Sequence, residues 1–349
     1  MPTNRNLSQA PKCLVTGGAG FIGSHVVDEL IRKGFPVTVL DDLSGGFAEN
    51  VNPAAVMVTG SVLDASLVDS LFAKNRFDYV FHLAAYAAEG LSHFIRRFNY
   101  TNNVIGSVNL INAAVRYESK CFVFTSSIAV YGSAKPPMTE KTIPEPEDPY
   151  GVAKYAVELD LRAASRLFGL NYIVFRPHNV YGERQNLGDR YRNVVGIFMN
   201  QVMQKNPCRI FGDGTQTRAF THVSDVAPSI VRAVDRPQCY GEVINIGADR
   251  PYTVNEIARF VHRAMDVDTG IEYLDRRSEV LHAFSDHSKA RRLLEYEPRV
   301  SLEEGLRRMA AWAWAIGPRR SQEFTNIEID RNLPESWRTA CIAGKQSAS

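Results

Sequence analysis

The glycines of Gly17-Gly18-Ala19-Gly20-Phe21-Ile22-Gly23 narrow the folds open to this chain more than any other feature. They sit directly behind a short apolar run, Cys13-Leu14-Val15-Thr16, and ahead of a helical pattern over residues 24–33 that Gly34 closes. Gly-x-x-Gly-x-x-Gly between a strand and a helix has a physical purpose. Gly17 lets the chain turn tightly, Gly20 lets a ligand approach the backbone, and Gly23 lets the helix lie close on a sheet. The helix start then offers backbone N–H groups to a pyrophosphate. A plain strand–helix turn needs no three glycines at that spacing.

Further apolar runs at residues 37–40, 56–59, 79–83, 122–125 and 172–175 read as strands. Helical patterns lie between them, notably over 67–74, 102–117 and 154–168. Strands alternating with helices predict an α/β fold, a Rossmann-type doubly wound parallel sheet with its ligand edge at the strand C-termini. Beyond Arg176 the pattern becomes mixed, with a polar loop at 186–191, helices over 194–204, 254–264 and 302–314, and a buried strand over 243–246. The expected organisation is a dinucleotide-binding domain over 11–186 plus 225–248, and a smaller mixed α/β substrate-binding domain over 187–224 plus 249–317. A C-terminal strap and tail over 318–349 completes it. Two hydrophobic hooks in that strap are Phe324-Thr325-Asn326-Ile327 and Leu333-Pro334-Glu335-Ser336-Trp337; residues 339–349 are expected to be mobile.

Composition removes several classes of function. The chain has 349 residues, 45% hydrophobic and 22% charged, which suits a large globular core. A net charge of +2 gives no electrostatic case for nucleic acid. The five cysteines, Cys13, Cys121, Cys208, Cys239 and Cys341, form no metal-ligand spacing and read as reduced thiols, so no metal is expected. No signal peptide opens the sequence and no apolar run has membrane-spanning length. A cytoplasmic protein without membrane attachment is the expectation.

Tyr150-Gly151-Val152-Ala153-Lys154 supplies the chemistry. Residues four apart share a helix face, so Tyr150 and Lys154 point the same way. An ammonium beside a phenol favours the phenolate and is expected to lower its pKa, making Tyr150 a base for an alcohol hydroxyl. Alone, the pair also fits an ordinary surface helix. Asp41 ends the second strand, where a carboxylate accepts hydrogen bonds from a ribose and repels a 2′-phosphate. No arginine follows in Asp42-Leu43-Ser44-Gly45-Gly46, so the expected cofactor is NAD rather than NADP. The plainer role for Asp41 is to cap a turn.

Taken with His82-Leu83-Ala84-Ala85, Asn103-Val104-Ile105-Gly106-Ser107 and Ser126-Ser127-Ile128-Ala129-Val130-Tyr131-Gly132, these motifs resemble the extended short-chain dehydrogenase/reductase superfamily. Within it the chain is similar to the NAD-dependent nucleotide-sugar epimerase/dehydratase family, nearest to the branch acting on UDP-glucose at C4. The resemblance runs from about residue 12 to residue 317. It implies Tyr150 as base, Lys154 as its partner on the nicotinamide ribose, and Ser127 on the reacting hydroxyl. It implies cofactor contacts from Gly17, Gly20, Phe21, Ile22, Gly23 and Asp41, from Ser61 and Val62, from Leu83, Ala84 and Ala85, and from Asn103, Tyr150, Lys154 and Pro177. For the substrate it implies Ser127, Asn179 on a phosphate, Arg218 on the diphosphate, Arg276 and Glu279 on phosphate and ribose, and Ala283 beside the sugar C2 group. It also implies a homodimer formed through the helices over 102–117 and 154–168.

Several positions depart from the family pattern. Ser61 stands where many relatives carry an acid, Glu279 where Asp is usual, and Ala87 where some epimerases have lysine. Tyr86, Glu89 and His93 are unusual choices that either touch the sugar or simply pack. Dehydratase and decarboxylase relatives carry acids near positions 128–129; Ile128 and Ala129 cannot transfer a proton. The expected reaction is therefore epimerisation of a UDP-sugar at C4 through a transient 4-keto sugar. A small Ala283 admits an N-acetyl group. Arg184, Arg190 and Arg192 leave a uronic acid open, although a charged loop also suits plain solvation. A dehydratase, a net oxidoreductase or a non-catalytic NAD-binding regulator are the alternatives.

Overall fold

The computed structural model describes residues 10–320 and 324–338. The expected tail over 339–349 lies outside the described residues. Seven parallel strands form the main sheet: β1 (Cys13–Thr16), β2 (Val37–Asp41), β3 (Val56–Thr59), β4 (Tyr79–His82), β5 (Cys121–Thr125), β6 (Tyr172–Pro177) and, after four short strands, β11 (Glu242–Ile246). The intervening four are β7 (Val180–Tyr181), β8 (Cys208–Phe211), β9 (Thr217–Ala219) and β10 (Thr221–His222). The sheet order is β11-β6-β5-β4-β1-β2-β3. The chain therefore runs outward from β1 to β3, then returns to β4 on the other side of β1. That reversal opens a crevice beyond the C-terminal ends of β1 and β4, where ligands of such sheets bind.

Helices cover both faces. α1 (Phe21–Arg32) and, later, α8 (Val223–Arg232) bury one face through Val26, Val27, Leu30, Val226 and Ile230. On the other face α2 (Ala65–Asn75) packs with α5 (Gly106–Arg116) and α6 (Pro149–Phe168). Before α5 stand two short helices, α3 (Glu89–Ser92) and α4 (Arg96–Tyr100). The single helix expected over 102–117 is instead α4, one π turn at Thr101–Ile105, and α5. Wide turns of this kind redirect a side chain. Here Asn103, inside the π turn, is buried and bonds both backbone groups of Tyr86.

α6 starts at Pro149, five residues before the expected Lys154. Asp148 is its N-cap and accepts from Gly151 N at 2.9 Å, with Pro149 in the first turn, so Tyr150 is already helical. The smaller region is built on α7 (Val194–Met203), α9 (Val254–Met265) and α11 (Leu302–Ile316), with β12 (Pro251–Thr253), β13 (Ile271–Leu274) and β14 (His282–Ala283) around it. α10 (Ser288–Leu294), expected with this region, packs instead on the main sheet beside β11, burying Ala290 and Leu294 in the core of that sheet. Phe198, Met199, Ile257, Val261, Leu306 and Met309 form its core. β9 pairs with β12 and β14, which carries Arg218 alongside Ala283.

One buried ion pair ties α6 to the sheet. Arg176 of β6 bonds Glu158 of α6 through Nε at 2.9 Å, with exposures of 3% and 1%, and Glu158 also accepts from Ser126. Removing one partner strands a buried charge, so Arg176→Met should cost about 3–5 kcal/mol, while adding Glu158→Leu should recover part of that loss. Urea unfolding of the single and double variants checks this.

Candidate active site

A cleft of about 480 Å³ runs from the glycine turn to the smaller region. Its inner end is a cradle that side chains would fill. Gly17 has φ +73°, and a Cβ there would lie 2.6 Å from Ala84 N; at Gly23 a Cβ would lie 2.0 Å from Gly17 O. The turn after β1 is thereby pressed against the turn after β4. Gly20 caps α1 without any side-chain hydrogen bond, leaving the positive helix end to face the cleft through bare backbone. Asp41 lines the cleft and also fixes the turn, accepting from Ala19 N at 3.0 Å and Leu43 N at 2.8 Å. Burial raises its pKa and those backbone donors oppose the rise. A cradle closed to side chains, a helix N-terminus and a carboxylate at the end of β2 together fit NAD.

Of the expected cofactor residues, Gly17, Gly20, Phe21, Ile22, Gly23, Asp41, Val62, Leu83, Ala84, Ala85, Tyr150, Lys154 and Pro177 line the cleft. Ser61 and Asn103 are not on its wall. Ser61 Oγ accepts from Leu63 N at 3.2 Å, and Asn103 Nδ2 donates to Asn99 Oδ1 at 2.8 Å as well as holding Tyr86. Asn103 shapes the loop after β4 from behind.

The next wall is the end of β5 against the start of α6. Lys154 Nζ donates to the Thr125 carbonyl at 2.7 Å and lies 5.7 Å from the centre of the Tyr150 ring. Ser127, just past β5, shares this wall with the Tyr150 phenol and accepts from Ala129 N at 3.1 Å. The expected acidification of the phenol by Lys154 is not found. Burial pushes Tyr150 above its ordinary pKa, Ser127 pulls it back in part, and the Asp148 and Glu89 carboxyls push it further up. Lys154 is itself driven down to about 7 by burial, with Glu158 opposing. A lysine only partly charged at neutral pH gives its neighbour a weak field.

Acids cluster beside the phenol. Asp148 is buried and its pKa is raised to about 7 by burial and by Glu89. Ser92 Oγ donates to the Glu89 carbonyl at 2.6 Å and accepts from Tyr150 N at 3.2 Å, joining the loop after β4 to the catalytic helix. Tyr86, Ala87, Glu89 and His93 all line the cleft. Of the three loop arginines only Arg192 does so, paired with Asp189 and 5.2 Å from the Tyr86 ring. Arg184 pairs with Asp28 at 2.7 Å, and Arg190 donates to the Ser336 carbonyl.

At the outer end, Asn179, Arg218 and Glu279 line the cleft. Arg218 is tied to the carbonyls of Thr217 and Leu281 at 2.9 and 3.0 Å, with Glu279 at 3.9 Å. Arg276 faces outward, 63% exposed and paired with Asp213 at 3.0 Å. Its neighbour Arg277 is the one on the cleft wall, bonded to Glu279 at 3.2 Å. Ala283 is buried among Val130, Tyr131 and Met138 and is not on the wall. Sequence reasoning passed over Asp148 and Arg277. The Asp-Pro step ahead of Tyr150 is a readable capping signal; nothing local distinguishes Arg277 from Arg276.

Residues 13–247 match the model of the NAD dependent epimerase/dehydratase family. The chain belongs to that family. Among relatives, it is 35% identical to a putative UDP-glucose 4-epimerase of Methanocaldococcus jannaschii, over 86% of this chain and 97% of that one. It is 31% identical to a UDP-N-acetyl-alpha-D-glucosaminuronate decarboxylase of Bacillus cytotoxicus, over 86% and 97%. Its fold superposes on the UDP-glucose 4-epimerase of Thermotoga maritima, crystallised with UDP-glucose, with a TM-score of 0.83 and 39% identity over 86% of this chain and 98% of that one.

The raised Asp148 pKa has a signed consequence. Between its ordinary 3.8 and about 7 the folded state holds a proton that the unfolded state has released, so stability falls as pH rises through that window. Asp148→Asn keeps a capping oxygen and removes the titration. Its melting temperature should gain on the wild type from pH 4 to pH 7, measured by calorimetry across that range; parallel profiles would contradict the assignment.

Proposed function

We propose that this protein interconverts the C4 epimers of a UDP-sugar, using a tightly held NAD that is regenerated at every turnover. The observation that carries the reading is the meeting of Ser127, Tyr150 and Lys154 on one wall, at the junction of the glycine cradle and the arginine-bearing outer cleft. NAD, when bound, supplies the hydride acceptor and donor. Tyr150 takes the proton of the C4 hydroxyl and returns it after the 4-keto sugar has turned over in the cleft. Ser127 holds the reacting oxygen, Lys154 positions the base, and Asn179 and Arg218 anchor the diphosphate.

Ile128 and Ala129 line or flank this wall without a group able to transfer a proton. That supports epimerisation over the decarboxylase chemistry named for one of the relatives, because no additional acid or base stands directly after Ser127. A cytoplasmic location belongs to the same reading and rests on the cysteine usage of the sequence. A homodimer belongs to it too, supported by apolar side chains left exposed on the two helices expected to pair: Ile105 at 52%, Leu159 at 43% and Leu167 at 75%. Leu159→Glu should shift the protein from dimer to monomer in light scattering; unchanged mass would set this face aside.

Purified protein offered a panel of UDP-, dTDP-, GDP- and CDP-sugars should convert a UDP-hexose to its C4 epimer with no added NAD and no net NADH. A 4-keto-6-deoxy product or a released carbon dioxide would refute the reading. Tyr150→Phe should lower turnover by about 100- to 10,000-fold while leaving NAD bound, followed by mass spectrometry of the released cofactor.

A further inference from the structure

The segment over residues 324–338 lies past the end of the family resemblance, yet it packs against the site. Trp337 and Leu333 are buried with Ala88, Leu91, Ile95 and Tyr191. Phe324 meets Phe98 at 4.9 Å and Tyr86 at 5.5 Å between ring centres. Glu328 accepts from Arg97 N at 2.8 Å and Phe98 N at 2.9 Å, and so caps the start of α4. The segment therefore braces the loop after β4, which brings Tyr86, Glu89 and His93 to the cleft.

Its contact with Arg277 has a different character. The guanidinium lies 4.6 Å from the ring centre of Phe211 and 5.8 Å from that of Trp337, between two aromatic side chains. Those rings are themselves in edge contact at 6.1 Å. Arg277 gives one nitrogen to Glu279, while its Nε is buried without a hydrogen-bond partner. A buried N–H with no acceptor is costly unless a ligand supplies one. A guanidinium fixed by aromatic faces is prealigned for a phosphate, which accepts two parallel N–H bonds. Arg218 stands across Glu279 from it, so two permanent cations share one carboxylate at the outer end of the cleft.

We propose that Arg277 binds the diphosphate of the nucleotide sugar and that Trp337 is a positioning residue that sets its orientation. This rests on the UDP-sugar reading above and extends it: the outward Arg276 does not take this place, and a residue of the carboxy-terminal segment becomes part of the substrate site.

The test is a double-mutant cycle on UDP affinity in the full-length, NAD-loaded protein, measured by titration calorimetry. Arg277→Met should weaken UDP roughly tenfold or more, as expected for loss of a charge-assisted bond. Trp337→Leu should weaken UDP to a similar degree with NAD content unchanged, raising KM far more than it lowers kcat. Trp337→Phe should restore most of the affinity. On the Arg277→Met background, Trp337→Leu should add less than about twofold, because the partner it positions is gone. If Trp337→Leu is too unstable to purify, Arg277→Met against Arg276→Met decides, with the second expected to bind UDP within about twofold of wild type. Undiminished UDP binding by Arg277→Met, or equal effects of Trp337→Leu with and without Arg277, would overturn the inference alone. Wild-type protein that binds none of UDP, dTDP, GDP and CDP would overturn the substrate reading with it.

Discussion

The hydrogen bond from Lys154 Nζ to the Thr125 carbonyl sets the geometry of the reactive wall. It fastens the first turns of α6 to the last residue of β5. Ser126 and Ser127 leave that strand at once, so the same bond decides which residue meets the Tyr150 phenol. One turn further along α6, Glu158 grips Ser126 and the Arg176 guanidinium of β6. Helix and strand ends are thus locked by two buried contacts, and a base on a rigid element keeps its aim better than one on a loop. The Asp148 cap and Ser92 complete the fixing by holding the start of α6 to the loop after β4.

Burial is the common electrostatic theme of this wall. It pushes the phenol up, the ammonium down and the Asp148 carboxyl up, each toward its neutral form. Without a bound cofactor, burial favours the neutral phenol. NAD held along the cleft in its oxidised form would bring a positive charge to this wall and favour the phenolate. Coupling of base strength to cofactor oxidation state would suit a reaction in which the proton leaves with the hydride and returns with it.

Much of the fold was legible because its signals are local. Three glycines at fixed spacing, the short apolar runs and the alternation of strand and helix each follow from contacts within a few residues. Of the parts that were missed, the start of α6 is also local and the others depend on distant contacts. α6 was read as beginning at Lys154 because its apolar period starts there, while the cap at Asp148 extends it forward over Tyr150. The π turn at Asn103 has no periodic signature, and it turns Asn103 toward Tyr86 instead of the cleft. Arg276 and Arg277 are adjacent in a loop after β13, and only the packing of Phe211 and Trp337 selects between them. The Tyr150–Lys154 pair was identified from its spacing, but the sign of the phenol shift was misread, because spacing reveals proximity and not desolvation.

The most direct test of the central claim is an ultraviolet titration of the Tyr150 phenol, taken as wild type minus Tyr150→Phe, with the bound cofactor oxidised or reduced. The account predicts phenolate absorbance at distinctly lower pH in the NAD⁺ form than in the NADH form. Coincident titrations in the two forms, or a phenol already ionised near neutrality with reduced cofactor, would contradict it.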